Sequence, residues 1–253
     1  MKTNKIALVT GGSRGLGKNA ALHIAKKGFD LIITYRSKKE EAEAVVAEIE
    51  SAGQKAAALQ LDTGIVSTFD AFIGDLKTTL KDKFDSDTFD FLVNNAGIDA
   101  ASTFAQTTEE DFDNLFNIHF KGVYFLTQKS LPVIADGGRI INLSSGLARF
   151  STPGYAAYAS MKGAIEVFTK YLAKELGGRG IAANVVAPGI IRTDFTKAAF
   201  EGHPGLDEML SKSTALGRIG LPDDIGGVIA FLCTEDARWI TAQRIEASGG
   251  MFL

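Results

Sequence analysis

Seven short runs, most of them apolar almost throughout, constrain this chain more than anything else in it: residues 6–10, 31–35, 56–61, 89–93, 139–143, 182–186 and 244–246. A strand that is apolar on both sides needs both sides covered, which is the setting of a parallel sheet rather than a half-wet antiparallel one. Between the runs lie longer stretches of helical periodicity. In residues 40–52, for example, Ala42, Val45, Val46 and Ile49 make one apolar stripe. Alternation of this kind predicts an α/β fold: a doubly wound parallel sheet of about seven strands with helices on both faces. Right-handed crossovers then bring ligands to the carboxyl ends of the strands.

No linker, internal repeat or low-complexity stretch interrupts the pattern, so residues 1–253 read as a single domain. The exception is the segment of about residues 190–217, where Gly202-His203-Pro204-Gly205 sits amid short helical patches. It reads as a loop or lid over the site. A net charge of -3 gives no electrostatic reason to expect nucleic acid or a membrane surface as partner. The single cysteine, Cys233, excludes an internal disulfide framework and suits the cytoplasm. His23, His119 and His203 are scattered without metal-ligand spacing. Met1-Lys2-Thr3-Asn4-Lys5 resembles a signal n-region only superficially, because the apolar run after it is short and ends in glycines. No apolar stretch has transmembrane length. A soluble, unprocessed chain is expected.

Directly after the first run comes Thr10-Gly11-Gly12-Ser13-Arg14-Gly15-Leu16-Gly17, and a helical run at 19–27 follows. Glycines at a strand-to-helix turn let the backbone approach a pyrophosphate closely, and the helix start offers unpaired N–H donors and a favourable dipole. The same residues would also serve a glycine-rich turn with no ligand. The second run ends in Thr34-Tyr35-Arg36-Ser37. A carboxylate there would bond the ribose hydroxyls of NAD; here Arg36 and Ser37 stand near the position, with Arg14 across the glycine turn. Two guanidinium groups and a hydroxyl suit a 2′-phosphate, which favours NADP(H) over NAD(H).

Thr10–Gly17, Asn94-Asn95-Ala96-Gly97, Tyr158-Ala159-Ser160-Met161-Lys162 and Pro188-Gly189 stand in the order found in the short-chain dehydrogenase/reductase family. The chain resembles that family end to end, its 3-oxoacyl-carrier-protein reductase-like members included. The resemblance implies a Rossmann-type sheet and assigns roles. Tyr158 would give a proton to a carbonyl and take it back from an alcohol, and Lys162, one helical turn on, would lower the phenol pKa and hold the nicotinamide ribose. Ser145, thirteen residues before Tyr158, would bond and polarise the substrate oxygen. Where the family carries an asparagine, this sequence has His119. An imidazole near its ordinary pKa of about 6.5 would hold the local backbone and relay protons from Lys162, or serve structure alone.

Other contacts follow from the resemblance. Gly11, Ser13, Arg14, Gly15, Leu16 and Gly17 would take the pyrophosphate side, with Arg36 and Ser37 at the 2′-phosphate. Asp62 and Thr63 would meet the adenine, and Asn94, Ala96 and Gly97 the adenosine ribose side; Pro188, Gly189 and the residues to Thr193 would bracket the nicotinamide, with the Ile191 backbone at the carboxamide and Thr193 near the phosphates. The family also implies a homo-oligomer, tetramer or dimer, built on helices around 108–131 and 156–176. Three functions are thus in view. The first is an NADP(H)-dependent reductase of a small carbonyl compound, or the reverse alcohol dehydrogenase. The second is a 3-oxoacyl-thioester reductase of fatty-acid synthesis, and the third a dinucleotide-binding sensor without chemistry.

Overall fold

Each expected run becomes a strand in the computed structural model, which describes residues 4–99 and 101–253. The strands are β1 (Ile6–Val9), β2 (Asp30–Tyr35), β3 (Ala56–Gln60), β4 (Phe89–Asn94), β5 (Ile134–Leu143), β6 (Ala182–Pro188) and β7 (Arg244–Ala247). They pair in the order β3-β2-β1-β4-β5-β6-β7, and every pairing is parallel. The direction of winding therefore reverses between β1 and β4, which opens a crevice at their carboxyl ends. Residues 1–3, within the stretch compared above with a signal n-region, lie outside the described residues.

The side chains of the strands divide by parity, as a pleated sheet requires. Ile6, Leu8, Ile32, Leu92 and Ile140 point to one side, while Ala7, Val9, Leu31, Ile33, Phe91, Val93 and Ile141 point to the other. The first side is covered by α3 (Phe69–Phe84), α5 (Gly122–Ser130) and α6 (Ala156–Leu176), through Phe69, Leu76, Leu80, Leu126 and Leu172. The second is covered by α1 (Gly15–Lys26), α2 (Lys39–Ser51) and α9 (Pro222–Leu232), through Ala20, Ile24, Val45, Ile49 and Ile229. Each fully buried Leu, Ile or Phe contributes about 1.5–3 kcal/mol of transfer free energy, so both layers are cores in their own right.

Two elements differ from the sequence reading. β5 begins at Ile134 rather than at Arg139, because Ile134 pairs with Phe89 before a register shift restores pairing at Phe91 and Arg139. Asp136-Gly137-Gly138 carries that irregularity, with Gly137 at φ +74, and such residues read as a turn in sequence. α1 starts within the glycine turn at Gly15, earlier than its apolar periodicity begins. The 190–217 segment holds two short helices, α7 (Asp194–Gly202) and α8 (Leu206–Lys212), with Met209 and Leu216 exposed. The helix between β4 and β5 is α4 (Glu109–Phe116), continued by a π-helical stretch at Asn117–Lys121 into α5. No described helix is long and apolar enough to cross a membrane.

Candidate active site

The glycine turn is tied down from β4. Thr10 Oγ1 accepts the Asn95 and Ala96 N–H groups at 2.9 and 3.0 Å, and Asn95 Nδ2 donates to the Thr10 and Gly11 carbonyls at 2.9 and 3.2 Å. Gly11 sits at φ +64, where a side chain is strained. A Cβ on Gly17 would overlap the Gly11 carbonyl oxygen and crowd the Asn95 amide. Arg14, at the cap position of α1, makes no side-chain capping bond, which leaves the first-turn N–H groups to an outside acceptor. This geometry fits a pyrophosphate. Ser13 is half-buried in the same turn.

Thr34 closes the end of β2 against the turn, its Oγ1 accepting Gly11 N–H at 3.1 Å and its carbonyl accepting Gly12 N–H at 2.9 Å. Arg36 and Ser37 then emerge into solvent beside the exposed Arg14. Neither guanidinium is engaged in an ion pair among the described residues, whereas the nearby Lys18 is bound to Glu48 at 2.9 Å. After β3, Asp62 Oδ1 accepts Gly64 N–H at 2.9 Å and Thr63 is buried. Asn94 is placed otherwise than its expected ribose contact suggests. Its side chain points into the sheet, donating to Thr127 Oγ1 at 3.1 Å and Asn142 Oδ1 at 2.8 Å, so only its backbone is available to a ligand. Its neighbour Asn95 is the residue that organises the glycine turn, and sequence reasoning overlooked it although it stands in the same Asn-Asn-Ala-Gly. Ala96 follows it, held by its N–H on Thr10 Oγ1, and Gly97 comes next, against the His119 ring. Pro188 ends β6, Gly189 packs against Ser248, Ile191 bridges to Gly220, and Thr193 starts α7 with its N–H on Thr196 Oγ1 at 3.1 Å.

At the carboxyl end of β5, Ser145 Oγ accepts Leu147 N–H at 3.2 Å and stands close enough to the Tyr158 phenol to favour its charged form. Lys162 is buried, and its Nζ donates to the Leu143 carbonyl at 2.8 Å while lying 5.5 Å from the centre of the Tyr158 ring. The electrostatics depart from the sequence reading. Burial, with the Asp99 carboxylate second, pushes the Tyr158 phenol up; the Ser145 hydroxyl works against both. Lys162 does not offset the desolvation, because burial lowers its own pKa to about 7. Without a bound dinucleotide, the phenol is therefore a neutral donor rather than an acidified one.

His119 lies on the π-helical stretch, and its buried ring meets Tyr158 and Ile98. The ring stands edge-on to Tyr158 with centroids 5.1 Å apart, and Nε2 lies 2.8 Å from the Ile98 carbonyl and 3.2 Å from the Ile98 nitrogen. Protonated at Nε2, it donates to that carbonyl. A Cβ on Gly97 would come 2.7 Å from His119 Cε1, so the glycine makes room for the imidazole. Nδ1 is buried without a hydrogen-bond partner among the described residues. Burial and then the charge of Lys162 lower the His119 pKa to about 3. This overturns the expectation of an imidazole near 6.5, since the ring stays neutral throughout the physiological range.

A group whose protonation is suppressed by folding costs stability on acidification, between its unfolded and folded pKa values. For His119 that window runs from about 6.5 down to about 3. Wild type should therefore lose about 2 kcal/mol by pH 5 that His119→Asn does not lose. Urea melts of both proteins at pH 7 and pH 5 measure the difference, and equal acid sensitivity would refute the burial argument.

The chain is similar to known proteins over nearly its whole length. A family model described as Enoyl-(Acyl carrier protein) reductase matches residues 11–252. The chain is 38% identical to a 3-oxoacyl-[acyl-carrier-protein] reductase of Staphylococcus aureus, with 100% of each chain covered. Among solved structures it is similar to LugOII, a promiscuous reductase that catalyses keto-reduction at C1 during lugdunomycin biosynthesis. That likeness has a TM-score of 0.93 and 37% identity, over 100% of this chain and 99% of the other. It is also similar to the angucycline C-6 ketoreductase LanV solved with bound NADP, with a TM-score of 0.92 and 38% identity over 98% and 95% of the two chains. A glycine turn stapled to β4, a Ser145–Tyr158–Lys162 cluster on the same edge of the sheet and matches over nearly the whole length have one common reading: this chain is an oxidoreductase of the short-chain dehydrogenase/reductase family.

Proposed function

We propose that the chain is an NADP(H)-dependent carbonyl reductase, and in reverse an alcohol dehydrogenase, acting on a small ketone or aldehyde. The observation that carries the reading is the buried Lys162 Nζ, held on the Leu143 carbonyl 5.5 Å from the Tyr158 ring centre, with Ser145 next to that phenol. In the reducing direction Tyr158 donates its proton to the substrate oxygen, and Ser145 holds that oxygen while charge develops on it. Bound NADPH supplies the hydride. Lys162 orients the nicotinamide ribose. His119 keeps Ile98 in place as a positioning residue; a neutral ring is a poor carrier of protons as imidazolium, which argues against the relay.

Gly11 through Gly17 fit the pyrophosphate, Asp62 and Thr63 the adenine, and Pro188 through Thr193 the nicotinamide side. The choice of NADP rests on the unpaired Arg14 and Arg36 and the lack of a carboxylate at the end of β2, and the similar LanV holds NADP. A charge-assisted hydrogen bond is worth about 1.5–3 kcal/mol. Arg36→Ala should therefore cut the ratio of kcat/KM for NADPH over NADH by roughly ten- to a hundredfold. Absorbance assays with a panel of ketones measure both the ratio and the reductase activity itself. Equal preference before and after the substitution would defeat the phosphate argument, and no NADPH oxidation with any ketone would favour the non-catalytic sensor.

The S. aureus relative keeps a 3-oxoacyl-thioester substrate in view. An acidic carrier protein would need a basic entrance, but Arg179 precedes β6 at the opposite edge of the sheet and is bound to Asp136 at 2.7 Å. The wall beside Ser145 is aromatic instead: Phe150 packs on Gly146, and Phe252 packs on Phe150 with centroids 4.8 Å apart. This supports a ketone with apolar or aromatic flanks. Tyr124, Val167 and Tyr171 on α5 and α6 are 39%, 54% and 63% exposed, an apolar face suited to a subunit contact in a dimer or tetramer. The buried, unpaired Cys233 suits a cytoplasmic location.

A further inference from the structure

We infer that Arg244, on β7, is a positioning residue for Ser145, and that it sets this hydroxyl through a chain of four alternating charges reaching to Met251 and Phe252. The inference rests on the reductase reading above. Arg244 reaches three acceptors at once: Nε donates to Glu166 Oε1 at 2.6 Å, Nη1 to Glu246 Oε2 at 2.7 Å, and Nη2 to the Ser145 backbone carbonyl at 3.3 Å. Glu166 Oε1 also accepts the Ser144 hydroxyl at 2.7 Å, so the Ser144 side chain and the Ser145 carbonyl, just before residues 147–155 (the substrate loop of this proposal), are anchored to one ion pair. Glu246 in turn takes Arg149 through two bonds of 2.7 and 2.8 Å. Arg149 donates onward to the carbonyls of Met251 at 2.6 Å and Phe252 at 3.2 Å.

The order Arg149, Glu246, Arg244, Glu166 alternates in sign and sums to zero. The side chains of Arg244, Glu246 and Glu166 are 22%, 20% and 19% exposed, so removing any one leaves a poorly hydrated neighbour without its partner. The last residues are held from the lid side as well. Thr214 bridges Met251, Leu216 N–H donates to the Gly249 carbonyl at 3.0 Å, and Phe252 N–H donates to the Ser213 carbonyl at 2.9 Å. Lid, final residues, substrate loop and Ser145 therefore move as one unit, with Arg244 as the cation that touches the serine's own peptide. A hydroxyl displaced by a fraction of an ångström no longer meets both phenol and substrate oxygen.

The test compares Arg244→Gln and Arg244→Lys with wild type, using NADPH and a ketone that wild type reduces. Lysine restores a charge to Glu166 and Glu246, but as a point charge it cannot span three acceptors. The expected result is that Arg244→Lys melts near wild type and binds NADPH, followed by its fluorescence, with unchanged affinity, yet loses about tenfold or more in kcat with KM for the ketone little altered. Arg244→Gln should lose at least as much kcat, and stability too. Recovery of kcat together with melting temperature in Arg244→Lys would overturn the inference, because a merely structural ion pair predicts that recovery. So would a folded Arg244→Gln with kcat within twofold of wild type. A wild type inactive on every ketone would instead bring down the reductase reading, and this assignment with it.

Discussion

Tyr158→Phe should lower carbonyl turnover by about a thousandfold or more while leaving NADPH affinity near wild type. General acid catalysis by a positioned side chain contributes about 10²–10⁴ in rate, and without the phenol oxygen Ser145 would hold the substrate oxygen alone. The substitution keeps the ring, hence its edge-on contact with His119 at 5.1 Å and its place beside Lys162, so the fold should survive. Because burial pushes the phenol up, the proton is present on the donor across neutral pH, and reduction by wild type should show no loss of rate there from this group. Steady-state kinetics with NADPH fluorescence as the binding control measure both quantities. Ketone turnover within tenfold of wild type would remove Tyr158 from the chemistry.

Gly17→Ala should abolish dinucleotide binding, lowering NADPH affinity by about a hundredfold or more, and should destabilise the protein by about 1–3 kcal/mol. The added methyl has no free direction. It meets the Gly11 carbonyl, which is itself part of the phosphate turn, and the Asn95 amide, which is pinned by two bonds to Thr10 and Gly11. Relief requires the turn to open, and an open turn no longer presents its N–H groups together. Gly15→Ala is the control: nothing lies within 4 Å of its Cβ, so only the strain of φ +56 is felt there. Fluorescence titration and thermal melts of both variants decide, and a Gly17→Ala protein with ordinary NADPH affinity would show that the close approach is not needed.

The sheet was legible because strands buried on two sides announce themselves as mostly apolar runs: β1 is apolar throughout, β2 is broken only by Asp30 and Thr34 and β6 only by Asn184. β5 was legible only in its second half, since its start crosses Asp136-Gly137-Gly138, whose composition speaks for a turn. At the site, spacing alone placed Tyr158 and Lys162 on one helix face, but spacing carries no information about desolvation. That is why the phenol and the His119 imidazole moved opposite to, or much farther than, what their neighbours in sequence implied. Asn94 and Asn95 are indistinguishable in composition, and strand parity decides which of them enters the sheet. The Arg149–Glu246–Arg244–Glu166 chain joins residues up to 97 positions apart, and no local pattern betrays it.

One practical matter follows from the clamp on Met251 and Phe252. A purification tag or fluorescent fusion placed after Leu253 would start beside the substrate loop and lever on Arg149, and kinetics measured on such a protein would report the fusion as much as the enzyme. β1, an interior strand, begins at the amino ends of the parallel strands, opposite the carboxyl ends where the site lies. A handle attached before it sits a full strand length from the chemistry, so the amino end is where preparations meant for assay should carry it.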